Sequence, residues 1–212
     1  MKKIVLIVVF IVVILGAGLL IRNRMQRPAP QPPIQAVKAV PHQAYLGLRN
    51  QALKASRTAL KLAPVAKPTE PWGVLMDVSL LDGWASVLAL SDGNPSLYLS
   101  NGFGYIGGGK REPIRKAGQS MVAMAAEFQP SAHAAADYPL PQAGQVIFYF
   151  LTDVGVFTVS APQDDLANSR VPLSKLYLVG QEIATAYHPL QQQRGGPPAN
   201  QSPTSQPPAS GK

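Results

Sequence analysis

The residues with the best claim to chemistry lie in one stretch, NGFGYIGGGK, residues 101–110. Gly102, Gly104 and Gly107 spell G-x-G-x-x-G, and Gly104 to Lys110 spells G-x-x-x-x-G-K, the opening of a phosphate-cradling loop. The residue after Lys110 is Arg111, where a nucleotide-binding loop needs Ser or Thr to reach magnesium. The dinucleotide pattern also lacks its setting, a buried parallel strand before the glycines and a helix opening on them. Here the preceding run, Ser96, Leu97, Tyr98, Leu99, Ser100, alternates like a half-buried antiparallel strand, and helical spacing resumes only near Pro113. Asn101-Gly102 is a strong hairpin signal, so the stretch reads first as a turn. The other reading is an anion site built from Asn101, Gly102, Gly104, Gly107, Gly108, Gly109, Lys110 and Arg111.

Other chemistry is sparse. His42, His133 and His188 are far apart, and no H-E-x-x-H, G-x-S-x-G or S-x-x-K occurs. Asp164 and Asp165 open a polar stretch, PQDDLANSR, without the spaced oxygen ligands of a calcium loop. Glu70, Asp77 and Glu127 form acid/base pairs only if the fold brings them together. Trp72 and Trp84 bracket the first hairpin as core or edge aromatics. No catalytic residue, metal site or cofactor is assigned, and the balance leans away from an enzyme. The chain has no cysteine, which excludes disulfides and thiolate metal sites.

The elements that must carry these residues divide the chain of 212 residues into four parts. Residues 1–27 hold an apolar run, 4–21, flanked by Lys2 and Lys3 before and Arg22, Arg24 and Arg27 after. At about 1.5 Å per residue it nearly spans a hydrocarbon core of about 30 Å. A cleaved signal peptide competes with an uncleaved anchor; continuation through Ile21 to the arginines favours the anchor. Residues 28–41 form a proline-rich spacer, residues 42–190 a globular domain, and residues 191–212 a Pro/Gln/Ser-rich tail expected to be disordered.

The formal net charge of +8 lies wholly outside the domain, which holds eleven basic and eleven acidic residues. Basic residues beside a span meet lipid head groups, so the charge argues for a bilayer and against nucleic acid. The expected location is a bacterial cell membrane, single-pass, with the domain leaning towards the extracytoplasmic side.

Within the domain, Tyr45, Leu48, Ala52, Ala55, Ala59 and Leu62 predict one helix over 42–63; Arg49, Lys54, Arg57 and Lys61 lie off that stripe, as the solvated side of a packed helix in the favoured reading and as a membrane-surface or partner-binding face in the other. Asp82-Gly83, Asp92-Gly93 and Thr152-Asp153-Val154 predict hairpins. Helices are expected over 113–128 and from about Pro172 to Tyr187. The fold class is therefore α+β, an antiparallel sheet of five or six strands flanked by helices and preceded by an N-terminal transmembrane helix.

From Trp72 to Gly109, the pattern D-G-x-A-x-V-x-A-L-x-D-G and the run SLYLSNGFGYIGGG resemble a bacterial protein family of unknown activity. The likeness continues through PIRKAGQSMVAMAAEF to VIFYFLTDVGVF and implies a shared domain but no site. The order of elements also resembles profilin-like or roadblock-type domains, which implies partner binding and dimerisation. The expected function is a membrane-tethered module for protein interaction or assembly, with a protein partner or a second copy. The alternative is a sensor or enzyme for a small anionic ligand, using loop 101–111.

Overall fold

The computed structural model describes residues 40–194. The apolar run 4–21 with its basic flanks, most of the proline-rich spacer and the tail beyond Arg194 lie outside the described residues. Among the described residues no helix is long and apolar enough to cross a membrane.

The elements run in chain order as α1 (Gln43–Leu53), β1 (Gly73–Leu80), β2 (Gly83–Leu90), β3 (Ser96–Leu99), β4 (Gly104–Tyr105) and α2 (Glu112–Phe128). They continue as β5 (His133–Ala134), β6 (Gln145–Thr152), β7 (Gly155–Pro162), α3 (Gln163–Ala167) and α4 (Ser174–Arg194). One antiparallel sheet takes the order β4-β3-β2-β1-β6-β7-β5. It has seven strands, not five or six, because the two-residue strands β4 and β5 extend its edges and are too short to show a period in sequence. The α+β class stands.

Strand alternation sorts the core into two layers. Val74, Met76 and Val78 of β1 and Val146, Phe148 and Phe150 of β6 face α2 and α4, meeting Met121, Ala125, Leu176 and Ile183. The intervening Leu75 of β1 and Tyr149 and Leu151 of β6 face α1, meeting Tyr45, Ala52 and Leu53. The sheet thus lies between helices on both faces, and its central strands β1 and β6 are buried almost end to end.

The predicted helix over 42–63 is shorter in the structure, where α1 ends at Leu53. Beyond it Ser56 turns back through a bond from Ala59 N to its Oγ at 3.3 Å, a local side-chain closure that competes with helix. Arg57 then grips both carboxylate oxygens of Asp153 in the β6–β7 turn, its Nε at 3.0 Å from each. This second anchor pulls the chain off the helical path, and Lys61 adopts a φ of 55°. At the other end of the domain α4 continues to Arg194, into the stretch read as tail.

Candidate functional site

The glycine stretch forms a hairpin and then an arm pinned to the β2–β3 turn. Strands β3 and β4 pair through Leu97 with Tyr105 and Tyr98 with Gly104. The turn between them is held by Leu99 N donating to Phe103 O at 2.8 Å and Phe103 N donating to Asn101 Oδ1 at 3.1 Å. Gly102, at φ 94°, takes the left-handed conformation the turn requires and lies against the His42 ring.

Beyond β4 three consecutive N–H groups are each spent within the chain. Gly107 N donates to Ser96 Oγ at 3.3 Å, Gly108 N to Pro95 O at 2.8 Å, and Gly109 N to Asn94 Oδ1 at 2.9 Å. These are the donors a phosphate nest would aim at its ligand. Gly108 is buried, and a Cβ there would collide with Tyr187 Oη and Ile114 Cγ2. Lys110 and Arg111 are exposed, and Arg111 is the N-cap of α2 without a side-chain capping bond. The eight predicted residues are therefore contiguous along one edge of the sheet, with the basic pair at the far end of the arm from Asn101.

The remaining sequence candidates stay apart. His42 caps α1, its Nδ1 accepting from Ala44 N at 3.1 Å, while His133 sits on the exposed strand β5. Near it a hollow of about 300 Å³ is lined by His133, Asp137, Tyr149, Thr158 and Ser160. Asp164 and Asp165 lie in the first turn of α3 and bind Arg170, at 2.8 and 3.3 Å. Glu70 Oε2 accepts from Ala66 N at 3.0 Å. Trp72 is buried in the α1 layer, and Trp84 Nε1 donates to Pro141 O at 2.9 Å. Among the described residues no three His, Asp or Glu side chains gather to hold a metal.

The polar constellation that the fold does build passes beneath α1. Arg49, expected in solvent, is buried against Asp77, with Nε at 2.8 Å and Nη2 at 2.6 Å from Oδ2. Its Nη1 and Nη2 also donate to the carbonyls of Tyr138 and Pro139, each at 3.0 Å. Ser86 Oγ donates to the other carboxylate oxygen at 2.5 Å and meets Tyr45 Oη at 2.9 Å, while Tyr149 Oη donates to Pro139 O at 2.7 Å. Placement buries it: Arg49 is one turn from Tyr45 on the buried side of α1, directly over the one acidic residue of β1.

Burial raises the Asp77 pKa, against the pull of Arg49. Burial opposes the charge on Arg49, yet the Asp77 carboxylate leaves its pKa raised. Tyr149 is pushed up to about 12, chiefly by burial. With Asp77 buried and its two carboxylate oxygens bonded to Arg49 and Ser86, the group works as a clasp holding α1 and segment 138–141 to the sheet.

A groove of about 480 Å³ crosses the end of the sheet at the β2–β3 turn, between segment 61–71 and α2. Leu62 and Val122 supply apolar surface, and Lys61, Glu70, Asp92 and Gln119 supply polar groups. Sequence periodicity does not reveal it, since its walls come from residues some 60 positions apart in the chain. The chain enters the domain at the opposite end, where His42 N donates to Ser100 O at 2.7 Å beside the β3–β4 turn.

No protein-family model, no curated protein and no solved structure matches the chain. The likenesses to a bacterial family and to profilin-like or roadblock-type domains therefore rest on sequence pattern and element order alone.

Proposed function

We propose that this chain is a single-pass bacterial membrane protein whose α+β domain binds another polypeptide, or a second copy of itself, as an interaction or assembly module. The apolar run with its basic flanks supports the tether, and the proline-rich spacer supports presentation of the domain beside the bilayer. The observation that carries the binding role is the groove between segment 61–71 and α2, at the end of the sheet opposite the point where the chain enters. Its apolar surface with both signs of charge suits one or two apolar side chains of an extended segment, with polar groups to fix orientation.

A photoreactive residue in place of exposed Ala123, on the α2 wall, tests this in the full chain in its own membranes. One discrete protein adduct, lost when Ala126→Glu charges the same wall, is the expected result. Absence of an adduct, or one indifferent to Ala126→Glu, would discard the groove as the binding surface.

A further inference from the structure

We infer that the end of the sheet where the chain enters docks onto the lipid bilayer through apolar hairpin tips; the inference rests on the membrane tether proposed above. Leu81, at the β1–β2 turn, is 93% exposed, and Phe103, at the β3–β4 turn, is 74% exposed. Val40 is 88% exposed and Leu80 45%. Pairing puts these residues together: Leu80 faces Gly83 across the first hairpin, and Ser100 exchanges bonds with Trp84, N to O at 2.9 Å and Trp84 N to Ser100 Oγ at 2.9 Å. His42, two residues after Val40, joins the same Ser100.

Three observations favour lipid as the occupant. The first is position. Eighteen residues, 22–39, separate the apolar run from Val40, so at most about 65 Å of chain links this end to the bilayer. The second is size. Four exposed large apolar side chains, one of them half exposed, are few beside the roughly 20–30 residues a stable protein interface engages on each partner. The third is backbone chemistry. Phe103 N is bonded to Asn101 Oδ1 and Phe103 O to Leu99 N, so moving the tip into an apolar interface strands neither group.

The segments 40–42, 80–83 and 100–104 carry no Lys or Arg, and Asp82 is their one carboxylate. Docking is therefore apolar, proceeds on zwitterionic lipid and is insensitive to salt.

The test uses the full chain reconstituted into phosphatidylcholine vesicles. The sequence lacks cysteine, so Leu81→Cys gives a single label site, with Val154→Cys, 57% exposed at the opposite end, as the control. Flotation reports the tether, and quenching by brominated lipid against aqueous iodide reports docking. The expected result is flotation, with lipid quenching at 81 and none at 154, abolished by adding Phe103→Asp. Flotation with the 81 label open to iodide and unquenched by lipid would overturn docking while leaving the tether. Flotation with the label shielded from both quenchers would mean that a protein, or a second copy, covers the patch, and would equally overturn it. Failure to float would overturn the tether and the docking with it.

Discussion

Arg49 of α1 and Asp77 of β1 meet at 2.6 Å, their side chains 3% and 0% exposed, in a chain whose other ion pairs lie at or near the surface among the described residues. A buried pair contributes little relative to a well-packed apolar replacement, yet breaking it leaves a charge without a partner. Arg49→Met should therefore cost about 3–5 kcal/mol. It also strips the carbonyls of Tyr138 and Pro139 of their donors. The double variant Arg49→Met, Asp77→Leu should recover most of that loss. Denaturant unfolding of the four proteins of the cycle checks this, and equal losses in the single and double variants would show that the pair is not what holds α1 down.

Ser79 presents the opposite case on the same face of β1. Its Oγ is buried with no hydrogen-bond partner among the described residues, so the hydroxyl has lost water without compensation there. Ser79→Ala should leave stability unchanged or raise it by up to about 1 kcal/mol, where most buried substitutions lower it. A clear fall in the unfolding midpoint would mean that the hydroxyl is solvated after all.

Alkaline pH should unfold the domain through its buried phenols. Tyr149 and Tyr187 are both raised from 10.0 to about 12, each chiefly by burial and each partly held back by a cation, Arg49 and Arg111 respectively. A raised folded-state pKa means that the unfolded chain gives up the proton first. This contribution to stability is whole below about 10 and is lost as pH climbs towards 12. Phenolate absorbance should rise late and together with loss of structure, and Tyr187→Phe should make the stability lost between about pH 10 and about pH 12 smaller. A smooth titration near 10 with structure intact would contradict the burial of both rings.

Much of this architecture was legible and the missing parts share a cause. Strands β1, β2 and β6 announce themselves through their turn residues, β3 through alternation, and α2 through helical spacing, with Ile114, Ala117, Met121 and Ala125 all buried. Those signals are local. Arg49 reads as solvent-facing because its partner sits 28 positions on in another element, although its spacing, four after Tyr45 and three before Ala52, puts it on the buried side of α1. A further hint is Asp77, a carboxylate inside the apolar run WGVLMDVSLL, which has to find a donor somewhere. The end of α1 was misjudged for the same reason, since Arg57 answers to Asp153, 96 positions away. In the glycine loop the Asn101-Gly102 turn could be read directly. The fate of the later N–H groups could not, because their acceptors Asn94, Pro95 and Ser96 belong to the preceding turn and the first residue of β3.

Gly108 separates the two readings of that loop. Its N–H is bonded to Pro95 O, and the same carbonyl accepts from Tyr187 Oη at 2.6 Å, so Gly108, Tyr187 and Pro95 form one knot between loop, α4 and the β2–β3 turn. Tyr187 also stacks on Tyr105 at 5.3 Å, tying the knot to β4. A methyl at 108 has no room beside Tyr187 and Ile114, so Gly108→Ala should cost about 1–3 kcal/mol by overpacking. Removing the exposed pair, Lys110→Ala with Arg111→Ala, should shift stability by no more than about 0.5 kcal/mol. Calorimetric titration with inorganic pyrophosphate completes the comparison. If the glycines serve packing, the unaltered chain takes up no pyrophosphate and only Gly108→Ala changes the unfolding midpoint. Saturable uptake that the double alanine variant abolishes would instead give the loop a ligand, held by the two basic side chains because the three glycine N–H groups beside them are already spent.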